Sequence, residues 1–406
     1  MSDHAGTTVQ RIVSSEAFQK AAAVLAAEHE RMVDDIVRLT ETESPPFQET
    51  ARARMWMEMA RAHGLSDLEQ DEEGNITGIR RGIGNGPLVC VAAHLDTVFP
   101  AGTDVKVRRE GTKLFAPGIG DDTRSLSVLL AWLRALDAAA IETRADILFV
   151  ADVGEEGLGD LRGMRHLFQK GRYKDRIASF ITVDSPDMER IVTGGVGSKR
   201  YRVTFKGPGG HSFGAFGVVN PLFAMADAIS RLGRVPVPAS GPKTTYSASV
   251  TGGGTSINAI PNSVWTEFDL RSESVKELAA LEKRFLEIVR AAVAAENEIR
   301  SVRNGVISVD ILPIGDRPAG HTGESHELVR FAKAAIEAKG FETRFEASST
   351  DANIPMSLGI PAIRVGSGGV GGREHSLEEW IDVERELSLR GMEAGLATLL
   401  AAAGMV

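Results

Sequence analysis

Five short stretches of this 406-residue chain end in side chains able to hold a cation or move a proton. In VAAHLDTV an apolar run delivers His94 and, two residues on, Asp96. APGIGDDTRS carries Asp121 and Asp122 after glycines that let the backbone turn sharply before a helix. VADVGEEGLGD sets Glu155 beside Glu156, ASFITVD ends in Asp184, and GGREHSLEE holds His375. Each has an ordinary structural explanation: a satisfied strand-end histidine, a helix-capping aspartate, a solvated acidic loop, a helix start. Together they bring acidic and imidazole groups to the strand ends of one sheet, and so much uncompensated negative charge calls for a cation. Imidazole and carboxylate without thiolate suit Zn²⁺, Co²⁺ or Mn²⁺ better than Ca²⁺ or Mg²⁺, which prefer all-oxygen shells.

The elements that must position these groups follow from periodicity. Residues 16 to about 40 and the stretch ETARARMWMEMARAHG show helical spacing. The runs PLVCVAA, DILFVAD, ASFITVD and PAIRVG have strand length and alternate with helical stretches such as SLSVLLAWLRALDAAA. That alternation predicts an α/β fold: a mixed, mostly parallel sheet with helices on both faces, and ligands beyond the carboxyl ends of its strands. Between residues 197 and 312 the order becomes βαββαβ, that of a ferredoxin-like unit inserted into the first domain, so residues 1–196 and 313–406 form one domain and 197–312 a second.

Bulk properties narrow the function. Lys and Arg total 46 against 55 Asp and Glu, a net charge of −9, which gives no electrostatic reason to expect nucleic acid or an anionic membrane. The single cysteine, Cys90, excludes an intramolecular disulfide and fits a reducing cytoplasm. No basic leader followed by an apolar stretch opens the chain, and no apolar run approaches the roughly 18 residues of a membrane helix.

The H-x-D after an apolar strand, the G-x-G-D-D turn, G-E-E-G, V-D-S-P, GPGGHS, INAIPN and GGREHS occur in one order from about Ser44 to His375. In that order they resemble the co-catalytic metallopeptidase and amidohydrolase family that includes peptidase T, carboxypeptidase G, aminoacylase and β-alanine synthase. The resemblance implies two divalent metals, zinc foremost with cobalt or manganese as alternatives. His94 and Asp184 would bind one, Glu156 and His375 the other, and Asp121 would bridge them. Asp96 would hold the His94 ring through its second nitrogen. Glu155 would be the general base, His211 a donor to the developing oxyanion from the other subunit of a homodimer, and Asn258 with Arg271 a clamp on the substrate's free carboxylate. The implied substrate is a short peptide or an acylated amino acid, and the resemblance makes residues 1–196 and 313–406 the catalytic domain and 197–312 a lid or dimerisation domain. One departure stands out: relatives read D-x-K-G where this chain reads Asp121-Asp122-Thr123-Arg124-Ser125. A rival reading, a dinucleotide fingerprint in residues 366–371, lacks the second strand that a βαβ unit requires. A binding protein that lost catalysis is the other rival, and Glu155 counts against it.

Overall fold

The computed structural model describes residues 4–84 and 87–406. Packing divides the chain into two units, one running up to Gly195 and resuming with His321–Val406, the other Val196–Gly320.

The first unit is built on a nine-stranded sheet whose centre is four parallel strands in the order Ile147–Asp152, Leu88–His94, Ile177–Val183, Ala362–Val365. Leu88–His94 is buried along its whole length because both faces are covered. Val89, Val91 and Ala93 enter one apolar cluster with the helices Arg124–Ala138 and Arg385–Ala403, while Leu88, Cys90 and Ala92 enter a second with Met164, Leu167 and Phe168. Double burial explains why these strands read as continuous apolar runs and not as alternating ones. Cys90 is a free, buried thiol. The four strands run in one direction, so His94, Asp152 and the residues after Val183 and Val365 all lie at one edge of the sheet.

The helical spacing read from residue 16 to about 40 is carried by two helices, Glu16–Ala27 and His29–Thr40, broken at Glu28, where φ −99° and ψ 16° leave the helical region. Arg134 holds the corner, 2.6 Å from Glu28 and 2.9 Å from Asp35 in a buried cluster. The glycines at 366, 368, 369 and 371 lead into a short strand, Val370–Gly372, and no helix opens there. No helix among the described residues is long and apolar enough to cross a membrane.

The second unit is a four-stranded antiparallel sheet in the order Thr244–Gly253, Ser263–Ser272, Gly197–Lys206, Ser308–Arg317, packed with the helices Pro221–Leu232 and Val275–Ile299 around one apolar cluster. The boundary expected at residue 312 falls inside a strand. Pairing with Gly197–Lys206 continues to Arg317 opposite Ser198, so the backbone ladder extends this unit to Gly320.

Candidate metal centre

His94 is the last residue of its strand and is 1% exposed. Its main-chain N–H donates to Asp122 Oδ2 at 3.1 Å, and its Nδ1 lies 3.0 Å from the main-chain carbonyl of Asp96. A carbonyl can only accept, so Nδ1 carries a proton and Nε2 is left to face the site, 2.8 Å from Asp121 Oδ1. The tautomer is therefore fixed by the Asp96 backbone and not by its side chain, whose carboxylate stands 3.7 Å from Nδ1. That carboxylate accepts instead from the N–H groups of Glu155, at 3.0 Å, and Glu156, at 2.8 Å. Asp96 thus ties the His94 strand to the loop bearing both glutamates. Behind it Arg52, fully buried, donates to the carbonyls of Thr42 and Leu95 and supplies countercharge; burial lowers its pKa to about 10 although Asp96 and Asp122 oppose the shift.

Asp121 stands between two imidazoles. Its Oδ1 meets His94 Nε2, and its Oδ2 lies 3.0 Å from Nε2 of His375, which is also 2.8 Å from Glu156 Oε1. The turn that presents Asp121 begins at Gly118, whose φ of 75° favours glycine. Glu379 holds that turn: its buried carboxylate accepts from the N–H groups of Gly118, Gly120 and Asp121 at 2.8, 2.7 and 2.9 Å. Burial, with Asp121 nearby, pushes Glu379 up to about 8 against those three donors. His375 sits in a turn with φ 62°, between Val370–Gly372 and the strand Trp380–Asp382, and not at a helix start.

Asp184 follows the strand Ile177–Val183 and is pinned by its N–H to Val365 O, by Ser185 Oγ on Oδ1, and by buried Arg364 3.9 Å from Oδ2. Two sets of donor atoms lie within 4.8 Å of one another: His94, Asp121 and Glu156, and His94, Asp122 and Asp184. Asp122 is fully buried, its Oδ1 accepts no hydrogen bond from any described residue, and burial raises its pKa well above the usual range. Without a metal the imidazoles carry the positive charge. Hydrogen bonds to Asp121 and then Glu156 lift His375 to about 11, while His94, though burial opposes it, is raised by Asp122, Asp121 and Asp96. Burial raises Glu156 as well. Imidazole and carboxylate oxygens converging with an orphaned buried oxygen form a donor set that fits divalent cations, which would displace those protons on binding.

The Asp-Thr-Arg-Ser departure is absorbed locally. Thr123 Oγ1 lies 2.6 Å from Thr40 Oγ1 and donates to Gly118 O, while Arg124 runs fully buried to Ser388 Oγ.

His211, Asn258 and Arg271 belong to the second unit. A two-residue ribbon pairs His211 with Ala259, next to Asn258. Nδ1 of His211 accepts from the N–H groups of Phe213 and Gly214, so the neutral ring carries its proton on an exposed Nε2. Arg271 lies near the far end of Ser263–Ser272, bonded to Asp269 at 2.6 Å. Eight residues of strand separate it from Ser263, roughly 26 Å at about 3.3 Å per residue. Asn258 lies outside that strand, five residues before Ser263.

Sequence reasoning missed Arg52, Glu379 and Arg364. A buried charge in an apolar context was the only signal, and nothing in the chain's order links Glu379 to a turn some 260 residues earlier.

A family model for peptidase family M20/M25/M40 matches residues 90–403. The chain belongs to that family. Carboxypeptidase G2 of Pseudomonas sp. is 26% identical over 298 residues, 71% of this chain and 68% of the relative. A further curated relative, 34% identical, aligns over only 129 residues, 34% of its own length. Aminopeptidase PepT from Bacillus cereus shares the fold with a TM-score of 0.74 at 22% identity, over 92% of this chain and 99% of that one. A Bacillus subtilis protein described as a dinuclear metal-binding peptidase of the M20 family superposes with a TM-score of 0.65 at 17% identity, over 93% and 99% of the two chains. This M20 chain is thus a metallopeptidase or amidohydrolase acting on peptides or acyl amino acids.

Glu379 offers a test of the turn. Glu379→Ala should weaken metal affinity about 10- to 100-fold, the usual cost of losing a group that orients a ligand, read by competition with a chelator. Wild-type affinity would mean that the turn holds without it.

Proposed function

We propose that this M20 chain hydrolyses the amide bond of a di- or tripeptide or an N-acyl amino acid, with two divalent cations, zinc foremost, held by His94, Asp121, Glu156, Asp184 and His375. The observation that carries this reading is Asp121, each of whose oxygens faces a different imidazole. Bound there, the cations would supply Lewis acidity, polarising the scissile carbonyl and acidifying water at neutral pH. Glu155, fixed through its N–H by Asp96, takes the attacking water's proton and passes it to the leaving nitrogen. Asp122, which belongs to the same cluster as His94 and Asp184, is a further candidate ligand that spacing alone did not single out. The protein acts in the cytoplasm in this reading, in keeping with its lone buried thiol.

His211 donates its exposed Nε2–H to the developing oxyanion. The carboxylate clamp draws Asn258, which precedes the strand Ser263–Ser272, and Arg271, near that strand's far end, from two chains, which favours a homodimer through the second unit. His211→Ala and Glu155→Gln proteins, each inactive, should then regain partial activity on mixing under exchanging conditions. A fully active monomer in sedimentation would rule out the shared site.

The function itself is tested by a panel of dipeptides, their C-terminal amides and N-acyl amino acids, with metal content measured on the same sample. Hydrolysis that depends on metal and falls when the C-terminus is amidated is expected. Metal bound without hydrolysis of any member would favour a silent binding relative.

A further inference from the structure

Four short strands, Arg108–Glu110, Lys113–Phe115, Val370–Gly372 and Trp380–Asp382, form a small antiparallel sheet in the first unit. Its register sorts side chains by face. Leu114 pairs with Ile381, and both are fully buried. The neighbouring row, on the opposite face, runs Arg108, Phe115, Trp380, Gly372. The Trp380 indole lies over Gly372, where a Cβ would come within 3.2 Å of the ring nitrogen. The Arg108 guanidinium sits 4.2 Å from the Phe115 ring centre, and Lys113 Nζ lies 4.6 Å from that of Trp380. This face of stacked rings and cations lines a cleft of about 1290 Å³.

The cleft is made by the loops that carry the metal centre. Phe99 follows the His94–Asp96 segment, Pro117 precedes the Asp121 turn, and Arg373 and Leu377 flank His375 by two residues on either side. Its lining holds four cations, Lys106, Arg108, Lys113 and Arg373, against two carboxylates, Asp104 and Glu378, in a chain that is acidic as a whole. Lys106 is engaged by Glu41 and Arg108 by Glu110. Arg373 and Lys113 make no ion pair or side-chain hydrogen bond with any described residue, so their donors remain for a ligand.

We infer that this cleft is a substrate subsite for a flat, anionic group, a carboxylate-bearing acyl or side-chain moiety, seated on the Phe115–Trp380 face with Arg373 on its charge. Rings give such a group apolar contact, and a guanidinium fork fits a carboxylate through two hydrogen bonds. The inference rests on the hydrolase reading, since it places part of a hydrolysed substrate there, and its test separates the two.

Phenylacetate and phenylacetamide share a ring and differ in charge. Their binding to the metal-free full chain is read by saturation-transfer NMR and by quenching of indole emission, with Trp380→Phe identifying the reporter. We expect the acid to bind about tenfold more tightly than the amide, as one charge-assisted hydrogen bond allows, and that preference to vanish in Arg373→Met, which keeps the side chain's apolar stem. Equal binding of acid and amide, or no binding of either at millimolar concentration, would overturn the proposal. So would self-association through this face that Trp380→Ala abolishes, because the occupant would then be a second copy. In the metal-loaded enzyme, substrates carrying Glu should exceed their Gln counterparts in kcat/KM by a similar factor, and Arg373→Met should bring the two rates together. Hydrolysis with equal Glu and Gln rates sinks the subsite alone, whereas no hydrolysis of any substrate sinks the hydrolase reading while the binding result still decides whether the cleft selects anions.

Discussion

Glu155→Ala should lower turnover by at least about 10²-fold, and by as much as about 10⁴-fold, while metal content stays at the wild-type level. Glu155 lies beside Glu156 in sequence, and it is Glu156 whose carboxylate lies 2.8 Å from His375 Nε2 and which has a place among the clustered donor atoms. The backbone of both residues is held by Asp96, so removing the Glu155 side chain leaves the position of Glu156 intact. The loss should appear in kcat with KM little changed, because a proton shuttle works in the transition state and not in ground-state binding. Metal analysis and steady-state kinetics on one preparation settle the point. A Glu155→Ala protein that hydrolyses at the normal rate would refute the role.

Asp121→Ala should lower both metal content and turnover, the latter by about 10³-fold, since the loss of Lewis acidity is worth several kcal/mol and each 1.36 kcal/mol is tenfold. Among the described residues the Asp121 carboxylate is the group hydrogen-bonded to both imidazoles, so its removal takes away the partner they share. The fold should survive. Glu379 grips this turn through main-chain N–H groups, which alanine retains, and Asp122 still accepts from the His94 backbone. Metal per chain after dialysis and the circular dichroism spectrum distinguish a lost ligand from a lost fold. A variant that keeps two metals per chain and wild-type rates would remove Asp121 from the centre.

These two outcomes bear on residues that spacing had already brought forward, and the reason is local. A doubly buried parallel strand must be apolar along its length, so a histidine or aspartate at its end is conspicuous, as His94 and Asp184 are. The helix through residues 16 to 40 was less legible. Its periodicity runs on past Glu28, and the break there is set by Arg134 on a distant helix, which pulls Glu28 and Asp35 into one ion cluster.

What the sequence determined by itself was the set of chemical groups and the elements that carry them: strands fully covered by helices, the βαββαβ insertion, and imidazoles and carboxylates at strand ends. Only the tertiary structure decided which atom does what. Spacing placed Asp96 beside His94 but could not say that its carbonyl would take the ring while its carboxylate took the Glu155–Glu156 backbone. It could not bring Glu379 under the Asp121 turn. Local patterns report burial and period, which depend on neighbours in the chain. Hydrogen-bond partners across hundreds of residues depend on how whole elements pack, and a buried polar atom takes whichever partner that packing sets within about 3 Å.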